Sequence, residues 1–407
     1  MPRATLVSAA IGLFFSSLPA QSTLTVGPGG MFANLPPAVA AAQDGDLILV
    51  APGGYSISSS LVINKDLRIL GGPGRQLFGP TNATLLWVSG LPSNKTFMLD
   101  GFTLFSNCPG GFHTSVVKLT ANTGVVHLAN LTVYGKCPFV GGGNCDSYLW
   151  FQGCSHVTMT RCQVIGLEVN SDNSRLTMTQ CNVVGRAAWG VSYGLAATSG
   201  LFSLGSQAFV TQSVLRGGAG DGGFPGGSGI AAHGASVVVA GDSNSIVAAG
   251  QPGATSALAS AVSLSFSAFF EIDGAVQLQP NPSASPFAYV SPATVVTSRP
   301  VALTSGGGTV GNTIDFGVRT QSGEALFLFG GLPITQPVQT GLGPVWTDPT
   351  QVILLAAAVQ GASELYTTSI AVPNVPALRG ELFAFYALAG ASTLPWRLSS
   401  LSTIMLQ

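Results

Sequence analysis

The stretch Val157-Thr-Met-Thr-Arg-Cys-Gln-Val-Ile-Gly166 returns as Leu176-Thr-Met-Thr-Gln-Cys-Asn-Val-Val-Gly185, 19 residues further on. In each copy Val157 or Leu176 and the methionine alternate with threonines, the period of a strand with one buried face. Arg161 breaks the phase, Cys162 and Val164 resume it, and Gly166 ends the unit. Two short strands meeting at a two-residue bend describe part of one coil of a parallel β-solenoid. A single coil cannot bury its apolar face, so coils must stack, at the sheet spacing of about 4.8 Å. Looser copies begin at His127 and Ala208, with earlier ones at Phe97 and Leu61. Their spacing varies, as it does when fixed short strands are joined by variable loops.

The bulk composition agrees. Charged residues make up 8% of the 407, glycine accounts for 53, and the net charge is −1. Such a chain has no basic footprint for nucleic acid and is too apolar to be disordered. At the N-terminus Arg3, an apolar run from Leu6 to Leu18 and the small residues around Ala20 follow the order of a cleavable export signal, assigned to 1–20. That run is too short for a membrane span, and no later segment reads as one. The expected location is therefore secreted or at the cell surface.

Before the repeats, Thr25-Val26-Gly27-Pro28-Gly29-Gly30 forms a turn, and Leu35 to Gln43 a short helix with proline in its first turn. Asp44-Gly45-Asp46-Leu47 opens a strand that stops at Ala51-Pro52-Gly53-Gly54-Tyr55. Together with Leu61 to Gly71, this resembles the start of right-handed parallel β-helix proteins of the pectin-lyase-like superfamily. The resemblance implies an all-β solenoid over residues 24–278, its open N-terminal end covered by the helix. It implies no single activity, because function resides in sites carried by the fold. Gln279-Pro-Asn-Pro-Ser-Ala-Ser-Pro-Phe287 reads as the start of a linker, 279–294. Seven alternating runs over 295–407 predict a small antiparallel β-sandwich. Within them, Ile370 to Leu388 is similar to the C-terminal domain of secreted planctomycete proteins.

All six cysteines, Cys108, Cys137, Cys145, Cys154, Cys162 and Cys181, fall in one third of the chain. Export makes disulfides the default, and their spacing gives no zinc pattern. Cys162 and Cys181 hold the same place in neighbouring units. Aligning Leu104 with Val133 sets Cys108 over Cys137, which leaves Cys145 with Cys154. The alternative is an inward ladder of free thiols packing as small apolar groups.

Enzymes of the resembled superfamily use clustered carboxylates with a basic partner, and its lyases hold calcium. The motifs that mark them, D-D, N-T-D and R-x-K, are absent. The remaining catalytic candidates are Asp221, His233 and Asp242; a weak calcium candidate is the turn at Asp172-Asn173, and no metal centre or other cofactor is expected. Arg161, Arg186 and Arg216 recur near the ends of units, with Trp150, Trp189 and Tyr193 nearby, a set of aromatic and cationic groups suited to sugar rings. Asn82, Asn94 and Asn130 lie in glycosylation sequons. The expectation is a secreted binding or structural protein whose partner is a polysaccharide or cell-surface matrix. A polysaccharide lyase or glycoside hydrolase is the alternative.

Overall fold

The computed structural model describes residues 22–107, 114–135, 147–188, 196–253, 258–289, 292–391 and 394–407. The signal segment, Cys108, Cys137, Cys145, Trp189 and Tyr193 lie outside them. The chain divides into two compact units, Thr23–Thr297 and a C-terminal unit that begins at Ser298.

The first unit is a parallel β-solenoid. Its chain visits three sheets in turn: a first sheet of eleven strands, and a second and a third of nine each, among the described residues. One coil runs through His156–Thr160, Gln163–Ile165 and Glu168–Asp172; the next runs through Arg175–Thr179, Asn182–Val184 and Leu201–Leu204. The repeat sets the register. Val157 lies beside Leu176 and Met159 beside Met178 in parallel strands, and Leu128 precedes Met159 in the same inward row.

The residue that breaks the phase makes the bend. Asn130, Arg161, Gln180 and Gln212 all have positive φ, between 43° and 54°. This left-handed conformation costs a non-glycine residue on the order of 1 kcal/mol. The cost is offset because the hydrogen-bond ladder continues through the corner: Asn130 N–H donates to Thr160 O, Arg161 to Thr179 and Gln180 to Thr211, each at 2.9 Å. Side chains stack there as well. The Asn130 amide donates to Asp100 Oδ1 at 2.7 Å and accepts from Arg161 Nε at 2.8 Å.

The helix Leu35–Ala41 has Asn34 as its cap and buries Leu35, Ala38 and Val39. Lys65 Nζ donates to the carbonyls of Val39 and Ala42, closing its C-terminal end. The Asp-Gly-Asp pattern works locally: Asp46 accepts from Gln43 N–H, and Asp44 accepts from Asp66 N–H. Lys95, 2.8 Å from Asp44, holds that carboxyl below its usual range.

Three expectations need correction. First, Cys162 and Cys181 are stacked but form no disulfide; both are buried free thiols, as is Cys154. Parallel in-register side chains point the same way, whereas a disulfide needs a Cβ–S–S–Cβ dihedral near ±90°. Cys162 Sγ donates to Leu128 O and Cys181 Sγ to Met159 O, both at 3.4 Å. Burial pushes the Cys162 thiol well above its usual pKa. Cys154 contacts Gln152 O and the Asn122 amide rather than a second sulfur.

Second, the Pro/Ser stretch is no linker. Gln277–Gln279 and Phe287–Tyr289 are strands of the second and third sheets, and the prolines between them shape a loop of the last coil. The solenoid therefore extends to Thr297.

Third, the run beginning at Val295 is two elements separated by Pro300. Thr294–Ser298 belongs to the solenoid's first sheet, and Ala302–Gly307 to the C-terminal unit. That unit pairs a three-stranded sheet (Ala302–Gly307, Thr313–Arg319, Leu365–Ala371) with a five-stranded one (Ile353–Val359, Ala325–Gly331, Leu382–Ala391, Leu394–Leu398, Ser402–Met405). Both are antiparallel, and Phe316 and Val318 of one meet Leu328 and Phe385 of the other in a shared core. A hairpin, Pro333–Thr340 with Gly343–Thr347, was hidden in the sequence by its three prolines.

Candidate functional site

The third sheet faces outward with one side chain per coil in register: Trp87, Lys118, Trp150, Asn170 and Phe202. Trp87, Lys118 and Trp150 each sit between two inward apolar residues, as in Val117-Lys118-Leu119, and Asn170 and Phe202 between an inward apolar residue and a buried serine, so the pleat forces all five out. Lys118 Nζ lies 5.1 Å from the centre of the Trp87 ring and 4.8 Å from that of Trp150. Cation–π contact holds the ammonium in place. No carboxylate is paired with it among the described residues.

A polar row runs alongside: Ser89, Thr120, Gln152 and Asp172. Trp87 Nε1 donates to Thr120 Oγ1 at 2.9 Å, and Thr120 Oγ1 donates to Ser89 Oγ at 3.1 Å. Gln152 Nε2 donates to Asp172 Oδ2 at 3.2 Å, and the Asn173 amide caps Oδ1 at 2.7 Å. The calcium candidate Asp172 is thus part of this row.

Long connections collect on one edge of this face. Bends from the first to the second sheet are short, typically two residues such as Arg161-Cys162. Links from the second to the third include 185–200, 217–229 and 249–261. Insertions gathered on one side of a repeat protein often border its binding face. In these links Gly218 N donates to Thr198 O at 2.9 Å and Gly250 N to Gly227 O at 2.8 Å. A Cβ on Gly218 would stand 1.8 Å from Arg186 O, and one on Gly250 1.8 Å from Gly218 O. The glycine-rich segment is therefore backbone stacked on backbone. The connections 57–60 and 82–85 have four residues each, and the shortest, Gly166-Leu167, joins Ile165 to Glu168.

The three catalytic candidates fall at three different corners. Asp242 caps a turn between the first and second sheets, accepting from Asn244 N–H at 2.9 Å. Asp221 lies in the 217–229 link between the second and third. His233 ends the third-sheet strand Ile230–His233. Its Nδ1 is 2.8 Å from Ser265 Oγ, its ring lies 5.0 Å from Phe202 and 5.9 Å from Phe266, and burial lowers its pKa. Among the described residues no group of three His, Cys, Asp or Glu gathers to hold a metal.

The binding candidates also separate. Trp150 belongs to the ladder. Arg161 is at the bend between the first two sheets, tied to Asn130. Arg186 Nη2 donates to Ala196 O at 3.2 Å within its link, and Arg216 is exposed at the end of Val214–Arg216. Trp87 and Lys118 were missed. Their signal was present: a bulky polar or aromatic residue flanked by apolar ones, once per coil.

No helix among the described residues is long and apolar enough to cross a membrane. No family model matches the chain, and no curated protein matches it. The solved structures to which the chain is similar include two. One is the enzymatically active domain of tailspike protein 2 of bacteriophage CBA120, at 11% identity and TM-score 0.32 over 92% of this chain and 73% of that one. The other is pectate lyase Pel9A, at 12% identity and TM-score 0.32 over 72% of this chain and 84% of that one.

Proposed function

We propose that the protein is an exported, non-catalytic binder of polysaccharide, and that the glycan lies across the outer face of the third sheet. The observation that carries this reading is the Trp87–Lys118–Trp150 ladder. Pyranose rings offer apolar faces ringed by hydroxyls. A site for them needs indole surface next to hydrogen-bonding groups, which here are Thr120, Gln152, Asn170 and Asp172. A face that runs in register over five coils, from Trp87 to Phe202, suits a long chain rather than an enclosed small molecule. The order of Arg3, the apolar run from Leu6 to Leu18 and the small residues around Ala20, read as an export signal, supports a partner outside the cell.

The test is affinity electrophoresis through gels containing polygalacturonate, alginate or other cell-surface polysaccharides, with parallel scoring of unsaturated and reducing ends. Retardation by at least one polymer, relieved in Trp150→Ala and Lys118→Met, is expected, with no new ends. Turnover that disappears in Asp221→Ala or Asp242→Ala would instead establish a lyase or hydrolase.

A further inference from the structure

Building on the polysaccharide reading of the third sheet, we infer that its outer face selects an extended, ribbon-like glycan that repeats every two sugars and runs along the solenoid axis, with alternate sugars stacked on Trp87, Trp150 and Phe202. The row carries an aromatic ring in every second coil and a polar side chain in the coils between, in the order Trp87, Lys118, Trp150, Asn170, Phe202. Coils stand about 4.8 Å apart, so the rings recur every ~9.6 Å. Equatorially linked pyranoses, as in cellulose, chitin or mannan, form a flat two-fold ribbon. Its advance per disaccharide is close to that spacing, and the same sugar face returns at every second residue. A helical glucan such as amylose turns its rings out of step with the coils. None of the three rings has another ring as its in-register neighbour: Val62 and Lys118 flank Trp87, Lys118 and Asn170 flank Trp150, and Asn170 and Ala231 flank Phe202. Lys118 and Asn170 supply polar groups for the sugars in between.

The far end of the face gives an independent sign of a ligand. The corner residues after Leu204, His233 and Ser265, which lie in register, are Gly205, Gly234 and Phe266, with φ of 57°, 56° and 55°. The first two are glycines, which adopt this left-handed conformation without cost. A bulky side chain is strained in it, and such strain gathers at functional sites. Phe266 is nevertheless 70% exposed, so packing within the fold does not account for the ring. It stands 5.9 Å from the His233 ring, itself 5.0 Å from Phe202, and so carries the aromatic run two coils beyond Phe202. At one sugar per coil, a pentasaccharide reaches from Trp87 to Phe202 and a heptasaccharide reaches Phe266.

Titration calorimetry of the full chain with cello-, chito-, manno- and β-mannuronate oligosaccharides, from disaccharide to heptasaccharide, tests this, with malto-oligosaccharides as the helical control. At least one ribbon series should bind, its affinity climbing at the trisaccharide and again at the pentasaccharide as a further ring is reached, and the malto-series should bind at least ~10-fold more weakly. Phe202→Ala should abolish the gain at the pentasaccharide and keep trisaccharide affinity within a few-fold. Phe266→Gly, which relieves the left-handed strain, should melt no lower than wild type and lose the gain between pentasaccharide and heptasaccharide; it keeps the test open if Phe202→Ala alters the melt. A polymer that retards the protein while no ribbon series binds, equal binding of the malto-series, or wild-type length dependence in both variants would overturn the inference and leave the polysaccharide face standing. Retardation by no polymer at all would end the reading on which it rests.

Discussion

Two ladders of large side chains stand on neighbouring faces of the solenoid, and they do opposite things with their rings. On the second sheet Phe78, Phe105 and Tyr134 stack at 5.2 and 5.3 Å with interplanar angles of 10° and 7°. Each face is spent on the next ring, leaving mostly edges to solvent. On the third sheet Lys118 separates Trp87 from Trp150, so the indoles do not consume each other. The same coil spacing thus yields a stabilising stack on one face and a receptive surface on the other. Which arises is decided by one residue in the middle coil, Phe105 or Lys118.

The largest expected effect separates the two directly. Trp150→Ala should weaken polysaccharide binding by about 10- to 100-fold, ~1.4–3 kcal/mol, with little change in melting temperature. Equal loss of binding in Phe105→Ala, measured by the same titration, would erase the distinction.

An acid titration probes a third face. His127, outward on the first sheet, is nevertheless buried, and burial with Arg68 nearby lowers its pKa from the ordinary 6.5 to about 3. The unfolded chain therefore binds the proton more readily. The stability that depends on a neutral imidazole is complete above the ordinary value and lost as pH falls from there toward 3. Denaturant midpoints of His127→Gln should show a flatter acid limb than wild type. An unchanged slope would place the acid sensitivity elsewhere.

Phe105→Ala comes next, with an expected cost of about 1–3 kcal/mol in unfolding free energy and unaltered glycan affinity. The smallest expected effect is Lys118→Arg, which keeps a cation between the indoles and should bind within a few-fold of wild type, while Lys118→Met should lose the larger share. Calorimetry on the pair distinguishes the charge from the side-chain volume.

Much of the solenoid was readable because its determinants are local and repeated. The two methionine copies set the register, the phase break at Arg161 marked the bend, and proline in the first turn marked the capping helix. What escaped depends on depth and on unequal unit lengths. Arg161, Arg186 and Arg216 recur along the sequence but sit at different points around the coil, because the links between them differ in length. Asp221, His233 and Asp242 look close in sequence, yet successive strands carry them to separate corners. Stacking of Cys162 over Cys181 was legible, with a disulfide and a ladder of free thiols as the two readings; the structure gives the free thiols. Trp87 and Lys118 are single residues in ordinary strands, and only the register shows that they meet Trp150.

The most direct measurement is a crystal structure of the protein with an oligosaccharide fragment of whichever polymer retards it. The expected result is a pyranose ring within ~4 Å of the Trp87 or Trp150 indole, hydrogen-bonded to the Thr120–Gln152–Asp172 row. A fragment seated instead along Phe78, Phe105 and Tyr134, or away from the third sheet altogether, would contradict it.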